Sequence, residues 1–206
     1  MLAILECDTA DVESLRKSLA TLAAEPIAVA HADGLSRVSK LIIPRVASIP
    51  RAARSIRDSR LVSPLMRVLT SGTPVLAIDT GFHLLFDVIY DAGQHTGLGV
   101  VSGKVAPIQL GHPPAARHFS LPHQGWNQVH WTNPCPLTTG IHTGEYFYFD
   151  HASHAEPLDA RVILGRTNHG IDFNAFTWSG NLFGTQFIPE RSKEAGLKLF
   201  ANFLAL

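Results

Sequence analysis

Apolar positions in the first ninety residues follow two rhythms. Short unbroken runs occur at Leu2–Leu5 (LAIL), Pro26–His31 (PIAVAH), Lys40–Pro44 (KLIIP) and Pro74–Ile78 (PVLAI). Their length and two-sided apolarity predict strands buried in a parallel sheet. Between them the spacing lengthens to three and four. Val12, Leu15, Leu19 and Leu22 share one face of a helix predicted from Asp8 or Thr9, its candidate caps, to about Ala24. Asp11 and Glu13 fall in its first turn, where the helix dipole favours anions. Helical spacing returns over Ala52–Asp58 and Leu61–Leu69, and again over Gly81–Asp91, where Phe82, Leu85, Phe86 and Ile89 form a stripe. Strand and helix alternating four times predict an α/β fold, with a mostly parallel sheet flanked by helices.

The second half is patterned differently. GLGVVSGKVAPI, LPHQGWNQVHW, EYFYFDHAS, ARVILGRT, IDFNAFTW and LFGTQFIP are short runs separated by Gly, Pro and Asn. They predict strands, partly antiparallel. A last helix is predicted from about Ser192, burying Leu197, Phe200, Ala201 and Leu204. With no internal repeat and no long linker, residues 1–206 are expected to form one domain.

Composition narrows the function classes. A chain of 206 residues, 46% hydrophobic, is long enough to bury a full core. Seventeen basic side chains balance seventeen acidic ones, so nothing points to nucleic acid or to an anionic membrane surface. No apolar run approaches the roughly 20 residues that span a bilayer. The N-terminus lacks the basic start and apolar core of a signal peptide. Cys7 and Cys135 form no paired motif, which fits a reducing compartment. A cytoplasmic protein is expected.

One residue breaks the apolar pattern. In TPVLAIDTGFHLLFD the run Val75–Ile78 stops at Asp79, and Thr80-Gly81 then leads into the predicted helix. A buried strand turning sharply into a helix is how several hydrolase families expose a nucleophile. Here the turn carries a carboxylate.

Five stretches together resemble the class I glutamine amidotransferases, most closely the glutaminase branch of imidazole glycerol phosphate synthase. They are GTPVLAIDTGFHLLFD (72–87), GLGVVSGKV (97–105), LPHQGWNQV (121–129), FYFDHAS (147–153) and FGTQFIPERSKEAGLKLFANFL (183–204). The resemblance implies a flavodoxin-like fold, hydrolysis of glutamine to glutamate and ammonia, and delivery of ammonia to a (β/α)8-barrel cyclase. It implies no cofactor and no metal. It also locates a catalytic triad, of which this chain keeps little. The family cysteine aligns with Asp79, the histidine with Ile188 and the glutamate with Glu190. The oxyanion strand, PGVG in the family, aligns with Pro44-Arg45-Val46-Ala47. The N-terminal YGMGN loop aligns with Cys7-Asp8-Thr9-Ala10-Asp11. Thr80, His83, His151, Ala152 and Ser153 align with further pocket positions. Gln124, Trp126, Asn127 and Arg191 align with the cyclase-facing surface.

The substitutions carry chemical consequences. Amide hydrolysis by this route needs a thiolate, a base to generate it and an acid to protonate ammonia. A carboxylate attacks an unactivated amide poorly, and Ile188 transfers no proton. Three roles remain open for Asp79. It can cap the helix beginning near Gly81. It can pair with Arg45, because both lie past the ends of strands expected to be neighbours. It can act as an elbow-aspartate nucleophile, with His83, His123, His151 or His154 activating water. His151 and His154 in HASH make a weak zinc pattern. Cys7 is expected to be a packed thiol, Cys135 a loop residue, and Gly97, Gly99 and Gly103 turn glycines. An exposed Trp126 would suit an interface anchor. The leading expectation is a non-catalytic subunit docked on a barrel cyclase. The alternatives are an authentic glutaminase subunit in histidine biosynthesis, or a stand-alone module that binds a small molecule, with glutamine binding in doubt.

Overall fold

A computed structural model describes residues 1–9, 12–110 and 119–206. Apart from the short α2, which the spacing does not predict, the first half alternates as expected: β1 (Leu2–Leu5), α1 (Val12–Ala20), β2 (Ile27–Val29), α2 (Ala32–Leu35), β3 (Lys40–Ile43), α3 (Ile49–Asp58), α4 (Val62–Thr70) and β4 (Val75–Ile78). After α5 (Thr80–His83) come β5 (Phe86–Tyr90), β6 (Gln94–Thr96), β7 (Val101–Pro107), β8 (His123–Trp131), β9 (Glu145–His151), β10 (Ser153–Pro157), β11 (Ile163–Asn168), β12 (Asp172–Ser179) and β13 (Leu182–Thr185). The chain ends with α6 (Lys193–Ala205). No helix of the described residues is long and apolar enough to cross a membrane.

Among the described residues, nine strands form the main sheet in the order β2-β1-β3-β4-β13-β12-β11-β8-β9. The first five are parallel to one another and the last four antiparallel. A smaller sheet, β10-β7-β5-β6, lies beside it. Alternate residues of β1, β3 and β4 feed two cores. Leu5, Ile43 and Ala77 pack with α3 and α4, while Ile4, Ile42, Leu76 and Ile78 pack with α1 and α6. Both faces of the parallel strands are covered, which is why these runs carry so few polar residues.

Three expectations need correction. The helix predicted over Gly81–Asp91 is one turn long, and Phe86–Tyr90 is a strand. The carbonyls that would continue the helix accept elsewhere: Leu84 O from Leu98 N at 2.8 Å, and Leu85 O from Val100 N at 2.8 Å and Val101 N at 2.9 Å. Phe82, Leu85, Phe86 and Ile89 are all buried, so their spacing alone could not separate helix from strand. Second, the Asp8 carboxylate, a candidate cap for α1, engages the start of α3. Thr9 bridges to Val46, and the Asp8 carboxylate accepts from Ser48 N at 3.0 Å and pairs with Arg51 at 3.2 Å; Asp11 lies outside the described residues. Third, the buried stripe of α6 is Gly196, Leu199, Phe200 and Phe203, rotated from the expected set.

The turn from β4 into α5 sits against the end of β3. A Cβ on Gly81 would lie 2.2 Å from Pro44 O and 2.8 Å from Ile43 O, both backbone atoms. Gly81→Ala is therefore expected to cost about 1–3 kcal/mol, measured as a lower urea midpoint with unchanged slope.

Candidate functional site

The site is built where β4 ends between β3 and β13. Asp79 takes φ 47° and ψ −114°, a conformation that L residues reach only under strain of about 1–3 kcal/mol. Neighbours hold it there. Its N–H donates to Thr185 O at 2.7 Å, and its carbonyl accepts from His83 N at 3.0 Å. The sharp elbow geometry is present, and what it presents is a carboxylate with no solvent exposure.

That carboxylate does not cap α5; although Asp79 holds the N-cap position, its side chain makes no cap hydrogen bond. Oδ2 accepts from Arg45 Nε at 2.9 Å, and Oδ1 accepts from Gln186 Nε2 at 2.9 Å. The other side of the guanidinium faces β9, with Arg45 Nη2 3.4 Å from Asp150 O and 3.5 Å from Asp150 Oδ2. Asp150 lies 3.7 Å from Arg191 Nη1, and its Oδ1 accepts from Gln124 Nε2 at 3.4 Å. Charges thus alternate from the buried elbow to the surface: Asp79, Arg45, Asp150, Arg191. Water cannot solvate the innermost charge, so Arg45 replaces it.

His83 completes the inner end. Gln186 spends its amide N–H on Asp79, so its carbonyl oxygen accepts, and His83 Nε2, 2.9 Å away, must be the donor. Burial lowers the His83 pKa against the opposing pull of Asp79, which favours the neutral ring. His83 thus orients Gln186.

The backbone of the segment after β3 is committed. Val46 N–H donates to Thr80 Oγ1 at 2.9 Å, the Thr80 hydroxyl donates to Val46 O at 3.0 Å, and Ala47 N–H donates to Asp8 O at 2.9 Å. Ile188 is fully buried, with its N–H on Tyr148 O at 2.8 Å and its carbonyl accepting from Ser192 Oγ at 2.7 Å. Glu190 sits in the 3-10 turn Pro189–Arg191, where its backbone carbonyl accepts from Ser18 Oγ at 3.3 Å. No imidazole stands at position 188 for Glu190 to orient. Cys7 is buried, and burial beside Asp8 pushes its pKa up to about 12; burial also raises that of Cys135.

Both Asp79 oxygens are occupied, and His123 and His151 have both ring nitrogens hydrogen-bonded, whereas His154 Nδ1 is buried without a hydrogen-bond partner. His151 Nδ1 lies 2.9 Å from Ser153 O and must donate to that carbonyl, so its Nε2 accepts from His123 Nδ1 at 3.0 Å. His123 Nε2 is left to accept from Asn127 Nδ2 at 3.2 Å. One chain of donors therefore fixes two neutral tautomers. Burial, the largest cause, together with neighbouring histidines, lowers both pKa values to about 3. His154 sits 3.4 Å from Glu156. Ala152 and Ser153 belong to the junction of β9 and β10, where Ala152 O accepts from Ile108 N at 2.8 Å.

On the outer face of β8, Trp126 is 44% exposed, and Lys193 Nζ lies 5.3 Å from its ring centroid. Arg191 stands 6.0 Å from the Tyr148 ring. Asn127 leaves this group, because strand alternation turns it inward to His123 and to Asn168 O at 2.8 Å. Sequence reasoning missed Gln186 and Asp150. Gln186 is detectable as one polar residue in the buried run GTQFI. Asp150 reads only as an outward position, and its closeness to Arg45 depends on the packing of β9.

No family model matches the chain. It is 31% identical over 209 residues to the imidazole glycerol phosphate synthase subunit HisH of Syntrophotalea carbinolica, covering 98% of each protein. It is 33% identical over 203 residues to that of Moorella thermoacetica, covering 98% of this chain and 93% of the relative. The fold matches a crystal structure of a glutamine amidotransferase with TM-score 0.75 at 16% identity, covering 99% and 97% of the two chains. It also matches the structure of PurLQS from Thermotoga maritima with TM-score 0.76 at 18% identity, again covering 99% and 97%.

Two expectations follow from the buried groups. Arg45→Met strands the Asp79 charge and should cost about 3–5 kcal/mol, whereas Arg45→Met/Asp79→Asn should recover most of the loss in urea unfolding. For His123 and His151 the unfolded chain binds protons below about pH 6.5 and the folded protein only near pH 3. Their contribution is complete above about pH 6.5 and is lost as pH falls toward 3. Each should add a slope of up to about 1.4 kcal/mol per pH unit in that window, and His123→Asn should reduce the slope of unfolding free energy against pH.

Proposed function

The chain belongs to the HisH family of imidazole glycerol phosphate synthase subunits, and on that premise we propose that it is a non-catalytic member. It retains the amidotransferase scaffold, docks on a (β/α)8-barrel cyclase, and supplies no ammonia. One observation carries this reading: the elbow that should present a thiolate presents a carboxylate bonded to Arg45 at 2.9 Å. The committed amides of Val46 and Ala47, and the aliphatic side chain at Ile188, support it. Glutamine would have to displace a guanidinium from a buried anion, and would then meet no thiolate and no proton carrier.

The docking half rests on the surface. Exposed aromatic rings beside cations suit an interface core. Trp126, Gln124 and Arg191 lie on that face, and a barrel partner is the occupant implied by the family. Selection for binding explains why this face stays recognisable while the reaction centre does not.

Glutamate release is the direct test. No production above the blank is expected, alone or with a barrel cyclase, corresponding to a loss on the order of 10⁴–10⁶ against an intact triad. A cyclase-stimulated rate within a hundredfold of an intact amidotransferase would overturn the reading. Trp126→Ala should weaken capture of the cyclase about tenfold or more.

A further inference from the structure

We propose that Asp79 and Asp150 form a guanidinium-binding site, which Arg45 fills in cis and which accepts a free alkylguanidinium when the Arg45 side chain is absent. Two carboxylates from different strands address one planar cation. Asp79 Oδ2 takes Nε at 2.9 Å on the inner side, and Asp150 takes Nη2 through its backbone oxygen at 3.4 Å and Oδ2 at 3.5 Å on the outer side. The inner carboxylate is rigidly aimed. Its second oxygen is tied to Gln186, whose amide is in turn fixed by His83. Its backbone is pinned to Thr185 and to the first turn of α5.

These features set the ligand class. A buried anion already holding one neutral donor needs a positive partner. Acceptors from two residues meeting two different nitrogens of the ion, Nε and Nη2, select a planar, forked donor, which a guanidinium provides and a spherical ammonium does not. Chemistry that develops an oxyanion needs donors and positive charge, whereas around the guanidinium Asp79 and Asp150 present acceptors. Asp150 is 24% exposed, against none for Asp79, so the site opens toward the surface at Asp150. A ligand carrying an alkyl chain on one nitrogen, such as methylguanidine or agmatine, reproduces the Arg45 head group.

The inference concerns the pocket alone, and needs neither glutamine turnover nor a partner. Thermal unfolding of Arg45→Ala is followed with 0–20 mM methylguanidine, beside methylurea as the neutral isostere and methylammonium as the non-planar cation. The expected result is a lowered melting temperature for the variant, restored by several degrees and saturably by methylguanidine only. Wild type, whose site is filled, should shift by less than a degree. Arg45→Ala/Asp150→Asn should need several-fold more methylguanidine for the same shift. An equal response of wild type and variant, an equal effect of methylurea, or no shift in a folded variant would overturn the proposal. Should Arg45→Ala not fold alone, refolding yield becomes the readout. Recovery with methylguanidine but not methylurea supports the site, and recovery with neither removes it.

Discussion

A carboxylate with no access to water dictates the arrangement at the centre of this protein. Asp79 is held at the end of β4 by a strained backbone and flanked by β3 and β13, so no solvent can reach its charge. In such a place an ionised group persists only with a cation and hydrogen bonds around it. Arg45 and Gln186 are those partners, and His83 in turn fixes the orientation of Gln186. Positions 45 and 79 are thereby joined in one ion pair at the elbow, with the aliphatic Ile188 buried close in sequence to Glu190.

The surroundings show what such an exchange leaves intact. The elbow conformation survives because it is enforced from outside, by Thr185 O, by the first turn of α5 and by the close approach of Gly81 to Pro44. A side chain at that turn can change its chemistry without changing the turn. The histidine row behaves similarly. His123 and His151 share one chain of neutral hydrogen bonds between Asn127 and Ser153, and the aromatic rings of Phe149 and Phe173 pack around it. Such a row works as internal architecture, and its directionality leaves no ring nitrogen free for proton transfer.

Between the elbow and the surface, Asp150 is the joint. It meets Arg45 on one side and Arg191 and Gln124 on the other. The pocket and the face beside Trp126 therefore belong to one charge network.

The sequence by itself determined the strand–helix alternation of the first half, the amidotransferase resemblance, and the presence of a carboxylate at 79 and an aliphatic side chain at 188. Those properties are written in local periodicity and in residue identity at motif positions such as Asp79 and Ile188. It also offered Arg45 as a partner, because both residues lie just past the ends of strands expected to be neighbours in the fold that the resemblance implies. Only the tertiary structure decided that Asp79 pairs instead of capping, that Phe86–Tyr90 is strand instead of helix, that Asn127 faces inward, and that Gln186 and Asp150 complete the network. Each of those outcomes depends on which distant atoms compete for a given donor or acceptor. A carbonyl of Leu85 taken by Val100, or a carboxylate reached by Arg45 before a helix amide, is a long-range competition that local spacing does not encode.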